Sequence, residues 1–379
     1  MRSNFQLLLL LCIITTTTFA QDESPPSLVI GDPAPPLRVR EWLKGTPVRK
    51  FEKGMVYVVE FWATWCKPCR AAMPRLSVLA REYRNSVTFL GIDIHENDAR
   101  DIGKVKAFVA SNGHQMDYPV ATGDSSFIKA EWIDASGEGN TGIPKTFVVN
   151  AEGRLSWIGH PKDLAKVLPK IINKTWDFEE ALATRNANRR LEYLDREASF
   201  DLTAYKDDPM NPDDLGKPDS TLKMISEMVR KEPALKYTPT IAYGTFAALL
   251  KTNPHKAYEY GKLVMQTATY EEPACDAIVG VIETYTDRLK IPVEIYLLGI
   301  EAQQISIDQW AYPELINFPK RYNKMAEWYW RAKDKSKAIE TQQKAIEASK
   351  NKKDFTAIDL AAFKSRLQHY KNAQPDGAL

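Results

Sequence analysis

Residues 58–74 read VVEFWATWCKPCRAAMP, and this stretch decides the fold. Val58 to Trp62 is an apolar run broken by one acid, Glu60, as in a buried strand. It leads straight into Cys66-Lys67-Pro68-Cys69. Helical periodicity follows, with Ala71, Met73, Leu76, Leu79 and Tyr83 at the apolar positions. Two cysteines with this spacing, where a strand gives way to a helix, make a dithiol/disulfide switch. The first thiol faces unpaired N–H groups and the positive end of the helix dipole, which stabilise a thiolate. Cys66 is therefore expected to be the attacking, more acidic and more exposed sulfur. Pro68 falls in the first helical turn, where its missing N–H does no harm. Pro74 lies further in and predicts a kink.

Working outward, Leu37–Leu43 reads as a short edge strand and Met55–Trp62 as the first central strand. The helix runs over Lys67–Arg84, and Val87–Ile94 is a second buried strand. Asp98–Ser111 is helical, Tyr118–Ala121 a short strand and Phe127–Ile133 a short helix. Lys145–Asn150 and Arg154–Ile158 form a hairpin through Ala151-Glu152-Gly153, and Lys162–Ile172 is a closing helix. Strands alternating with helices, then a hairpin and a helix, predict an α/β sandwich with a central mixed sheet.

The chain has 379 residues, room for two domains, and a formal charge of +2, which draws it to neither nucleic acid nor a membrane surface. Met-Arg, an apolar run from Phe5 to Ile14 and Thr18-Phe19-Ala20 predict a signal peptide over 1–20, too short to anchor in a bilayer. Cys12 follows Leu11, not the small residue that lipidation requires. Three cysteines remain: Cys66, Cys69 and Cys275. So few in an exported chain do not make a disulfide scaffold, so the pair is expected to be chemical.

Beyond Trp176 the strand signals stop. The predicted organisation is 1–20 signal, 21–176 α/β domain, 177–220 charged helix and linker, and 221–379 helical domain. Asp and Pro crowd residues 201–220, which read as an exposed loop. Phe318–Lys350 reads as one helical hairpin of tetratricopeptide type, with Tyr329, Ala338, Ile339, Ala345 and Ile346 at packing positions. Trp328-Tyr329-Trp330, with Tyr322 and Trp310, reads as helical core in preference to a peptide groove. Cys275 reads as a buried helix residue.

The stretch EFWATWCKPCRAAMP resembles the active site of thioredoxin-fold proteins, and is most similar to the exported TlpA-like and ResA-like thiol:disulfide oxidoreductases. Thr141-Gly142-Ile143-Pro144-Lys145-Thr146-Phe147 resembles that family's cis-proline loop. The likeness covers roughly residues 33–173 and leaves the C-terminal half outside it. It implies a thioredoxin-like sandwich followed by an all-α domain. Cys66 matches the attacking cysteine, Cys69 the resolving one, Pro144 the cis-proline, Glu60 the buried acid and Pro74 the kinking proline. Trp65, Lys67, Pro68, Gly142, Ile143 and Pro144 fall where the family meets its substrate. The redox-active Cys66–Cys69 disulfide is then the whole redox equipment, with no metal and no other cofactor. Partners are cysteine-containing proteins of the periplasm or cell envelope and a membrane dithiol electron donor, with the helical domain available to a further protein.

The chemistry explains the residue types. A thiolate attacks a disulfide to give a mixed disulfide, and an ordinary thiol, with a pKa of about 8.5, is mostly protonated at neutral pH. Cys69 must lose its proton before it can resolve the adduct, and a carboxyl buried beneath it can take that proton. Each residue has a plainer alternative. Glu60 fits a solvated strand face, Pro144 an ordinary trans loop, and the cysteines half a zinc site that lacks its second pair. His95 and His160 fit either the site or the scaffold. An adaptor whose helical domain recruits a client is the competing function. A peroxidase is disfavoured, because Val59 and Ala63 stand where that motif has Pro and Thr.

Overall fold

The structure is a computed structural model that describes residues 26–96, 99–139, 142–207, 211, 214–267, 271–308, 318–350 and 355–375. The expected signal peptide, Cys12, Thr141 and Trp310 lie outside them.

Six strands form one mixed sheet in the order β1-β4-β3-β2-β5-β6. They are β1 (Val39–Lys44), β2 (Val56–Trp62), β3 (Val87–Asp93), β4 (Val120–Gly123), β5 (Lys145–Val149) and β6 (Leu155–Gly159). β2 lies inside the sheet, parallel to β3 and antiparallel to β5, and every residue of it is buried. Side chains alternate across the pleat. Val56, Val58 and Trp62 share one core with α1 (Lys67–Glu82), α2 (Ala99–Asn112) and α4 (Leu164–Ile172). Tyr57, Val59 and Phe61 share the other with Leu28, Trp132 and Ile133.

Two short elements differ from expectation. The strand expected at Tyr118–Ala121 runs instead over Val120–Gly123. Pro119 has no N–H for a ladder; its carbonyl accepts from Gly91 N at 3.0 Å. The short helix α3 starts at Ser125, where Asp124 caps it, and its chain continues as a π-turn over Lys129–Asp134 that buries Trp132. Pro74 lies inside α1, which runs on through it.

Helices follow from Asp177 onward. α5 (Phe178–Leu202) is capped by Asp177 and runs for 25 residues. After it come α6 (Pro218–Lys231), α7 (Pro239–Thr252), α8 (Pro254–Thr267), α9 (Glu271–Tyr285), α10 (Val293–Asp308), α11 (Pro319–Arg331), α12 (Lys335–Ser349) and α13 (Ala357–Asn372). Ala198 and Leu202 of α5 pack with Ile225, Leu235 and Ile241, and Leu191 and Leu194 lie against them. Phe246, Cys275, Ile282, Leu298 and Trp328 belong to one core that joins α7 to α11. The expected hairpin is α11–α12. Its Trp328 and Trp330 are buried in different clusters, the latter stacked on Tyr370 at 4.7 Å between ring centroids.

Within the stretch 201–220, expected as a linker or long exposed loop, Asp207 is held against the helices. The Asp207 carboxylate accepts from Tyr285 Oη at 2.7 Å and Arg288 Nη1 at 2.6 Å, and Lys251 Nζ lies 3.5 Å away. Two cations and a phenol make burial of this acid favourable, where its local sequence reads as solvated. Among the described residues, no helix is long and apolar enough to cross a membrane.

Candidate active site

β2 ends at Trp62, and Ala63-Thr64-Trp65 turns the chain into α1. Cys66 is the N-cap of that helix, with extended backbone (φ −73°, ψ 100°), and its sulfur accepts from the Cys69 N–H at 3.2 Å. The cap position thus aims the Cys66 sulfur at the first free amides of the helix. Cys66 and Cys69 are joined as a disulfide, with Cα atoms 5.3 Å apart. Both are nearly buried, at 3% and 2% exposure, so in this oxidised form Cys66 is hardly more open than its partner. The surface around them is supplied by Trp65, 61% exposed, and by exposed Lys67 and Pro68.

The opposite wall is the loop before β5. The Ile143–Pro144 peptide is cis, and the Ile143 carbonyl oxygen lies 3.7 Å from the Cys66 sulfur. Gly142 is exposed at φ +70°, a left-handed conformation that favours glycine, and a side chain there would meet only open space. Five of the six residues expected to meet substrate thus ring the disulfide from two elements. The sixth, Pro144, is buried.

Beneath the disulfide lies Glu60, 3% exposed. It has the strand parity of Val58 and Trp62, which places it on the sheet face that α1 and both cysteines cover. The alternative of a solvated strand face is thereby excluded. The Thr146 hydroxyl on β5 donates to Glu60 Oε2, and Oε1 is buried without a hydrogen-bond partner. Burial pushes the Glu60 carboxyl up to about 8, against smaller downward pulls from the Thr146 hydroxyl and the Lys145 ammonium.

The two histidines part company. The His95 ring sits 5.6 Å from that of Trp65, beside the site, and burial holds its pKa below the ordinary value. His160 caps the turn at Pro161–Asp163, where burial, with Lys162 and Lys145 nearby, pushes it down to about 4.

Two acids went unread in the sequence. Glu96 Oε1 accepts from the Thr64 N–H at 3.0 Å and the Thr64 hydroxyl at 2.5 Å, fixing the turn that delivers Cys66. Asp93 pairs in register with Trp62, at the end of β3, and burial together with the Glu96 carboxyl pushes it up to about 9. The available signal was GIDIHE, an acid closing an otherwise apolar strand and another three residues on.

The comparisons agree with this geometry. The thioredoxin family profile matches residues 47–108. The protein FixW of Rhizobium leguminosarum is 34% identical over 156 residues, covering 40% of this chain and 69% of its own. The thiol-disulfide oxidoreductase ResA of Bacillus cereus is 30% identical over 144 residues, 36% of this chain and 71% of its own. A solved thiol:disulfide interchange protein of the thioredoxin family from Chlorobium tepidum is 28% identical, covering 38% of this chain and 97% of its own with a TM-score of 0.32. A Cys-x-x-Cys pair at a helix N-cap, on a six-stranded mixed sheet and with relatives of this kind, makes this chain a member of the thioredoxin family of thiol-disulfide oxidoreductases.

Proposed function

We propose that the protein is exported and reduces disulfides of envelope proteins through Cys66 and Cys69. The observation that carries this is the placement of the Cys66 sulfur at the α1 N-cap, 3.7 Å from the Ile143 carbonyl oxygen. A substrate strand laid along Gly142 and Ile143 brings its own sulfur to Cys66.

In the reduced protein the Cys66 thiolate attacks one sulfur of the substrate disulfide. An S–S bond forms to Cys66, and the other substrate sulfur leaves as a thiolate. Cys69 then gives its proton to Glu60 and attacks the Cys66 sulfur. The Cys66–Cys69 disulfide forms, and the second substrate sulfur leaves and takes up a proton. Two electrons have passed to the substrate, and a membrane dithiol donor restores the pair. Lys67-Pro68 holds no histidine between the cysteines to stabilise the thiolate, which favours a reducing or intermediate potential. Export rests on the signal-like residues 1–20. The helical region is assigned to client choice, since it lies outside the oxidoreductase unit.

The test is a Cys69→Ala trap in cells. The expected result is mixed disulfides between Cys66 and envelope proteins, identified by mass spectrometry. Absence of adducts overturns the proposal, and a potential near about −120 mV, that of a strong periplasmic oxidant, overturns the direction.

A further inference from the structure

Helix α5 lies outside the region resembling the family, yet it touches the chain at Ser136 to Glu138, shortly before the cis-proline loop. Arg185 Nη1 sits 2.7 Å from Glu138 Oε1, and Arg185 Nη2 donates to the Ser136 carbonyl at 2.7 Å. The other Glu138 oxygen, Oε2, accepts from Lys145 Nζ at 2.5 Å. All three side chains are close to buried, at 10%, 6% and 12% exposure. One helical turn on, the Arg189 guanidinium lies against Gly137, where any Cβ would collide with it.

Lys145 follows cis-Pro144 directly, and its backbone pairs with Phe61 of β2. Glu138 is tied by its own N–H to the Ile133 carbonyl at 2.8 Å. One carboxylate therefore joins the end of the π-turn, the start of β5 and a helix from beyond the sheet. Oε1 meets Arg185 and Oε2 meets Lys145, so both oxygens of this nearly buried carboxylate are paired with a cation.

We infer that Arg185 is a positioning residue for the substrate-facing loop, acting through Glu138 and Lys145 on Ile143 and Pro144. The inference rests on the proposed docking of substrate at Gly142 and Ile143. It gives the first helix of the C-terminal half a part in the redox reaction, with no contact to the disulfide.

The test compares Arg185→Met and Arg185→Lys in the full-length protein, with insulin as the disulfide substrate and iodoacetamide as a small probe of Cys66. In Arg185→Met, KM for insulin is expected to rise about tenfold, because misplaced docking groups weaken binding more than chemistry. Turnover number and alkylation rate are expected to stay within about twofold, and Arg185→Lys to recover most of the loss. Glu138→Gln, which keeps the shape and removes the charge, repeats the experiment if Arg185→Met does not fold. An unchanged KM in an active protein overturns the inference, and so does a parallel fall in insulin reduction and alkylation. Should the wild type not reduce insulin, the proposed function fails instead, and amide exchange at Ile143, Lys145 and Thr146 then decides. Faster exchange in Arg185→Met supports the positioning role, and unchanged exchange overturns it.

Discussion

Glu60 on β2 and Thr146 on β5 stand opposite each other in the antiparallel ladder, and the threonine hydroxyl donates to the carboxyl group. Among the described residues, this almost fully buried carboxyl thus receives one hydrogen bond, from the strand that follows cis-Pro144. Burial sets the pH at which Glu60 can accept a proton, and this pairing pulls it partly back toward the ordinary value.

Replacing Glu60 by Gln tests that role. With its carboxyl raised to about 8, Glu60 is mostly protonated at pH 7 and becomes a base as pH rises through 8. The rate of Cys69 attack on a preformed mixed disulfide should climb over that range in the wild type. In Glu60→Gln it should be lower and follow only the titration of Cys69 itself. Stopped-flow measurement between pH 6 and 10 checks this, and superimposable profiles would remove the assignment.

The same variant changes stability in a defined direction. The folded pKa lies above the unfolded value of 4.5, so the stability linked to Glu60 is complete below pH 4.5. It is lost as pH rises through 8, on the order of 5 kcal/mol over the window. Glu60→Gln should lose this slope in urea titrations and be the more stable protein at pH 8. Asp93, raised for the same reason, keeps its own share of the slope.

Thr146→Val keeps the shape and removes the donor. The hydroxyl pulls the Glu60 pKa down, so its loss should move the rate profile to higher pH. The cost in stability should be roughly 1–3 kcal/mol, as for a buried group left unpaired. Urea denaturation and the same kinetics measure both.

Gly123→Ala should destabilise by about 1–3 kcal/mol, the usual cost of overpacking. A Cβ on this β4 residue collides with the Ile128 side chain, and meets Ile92 Cγ2 at 2.9 Å. Thermal unfolding reads the effect, which is expected to exceed that of Gly103→Ala, where a Cβ meets open space.

Asp207→Ala leaves the largely buried Lys251 and Arg288 without their shared carboxylate. The expected cost is about 3–5 kcal/mol. Burial opposes the Asp207 charge, but the Tyr285 and Arg288 hydrogen bonds and Lys251 outweigh it and hold the carboxyl below its ordinary value. Its stabilisation is therefore present above the unfolded pKa and is lost as pH falls through the lower folded one. Calorimetry should show the variant matching the wild type more closely in acid than at pH 7.

How far the sequence could be read followed the range of the interactions. The strand Val56–Trp62 and the helix from Lys67 are set by neighbouring residues, so their pattern was plain, and Glu60 stood out as the acid in an apolar run. Asp207 is buried by partners 78 and 81 residues away in Tyr285 and Arg288, and no local pattern announces such a pairing. Arg185 and Glu138 are alike: α5 reads as a highly charged helix, and nothing local shows that Arg185 is turned inward. The near-burial of Cys66 likewise comes from the loop at Ile143, which meets it only in the fold.

The 25 residues of α5 span about 37 Å, and the two sets of contacts along it occupy different bearings. Arg185 and Arg189 form one stripe. Leu191, Leu194, Ala198 and Leu202 form another, roughly 155° round the helix at about 100° per residue. The helix is thus a keyed shaft with its two bits cut at a fixed angle. A single residue inserted between Arg189 and Leu191 turns one key against the other by about 100°, so the oxidoreductase and the helices can no longer both engage. Evolutionary or engineered changes in spacing should therefore come in steps that restore the angle, about seven or eleven residues at a time.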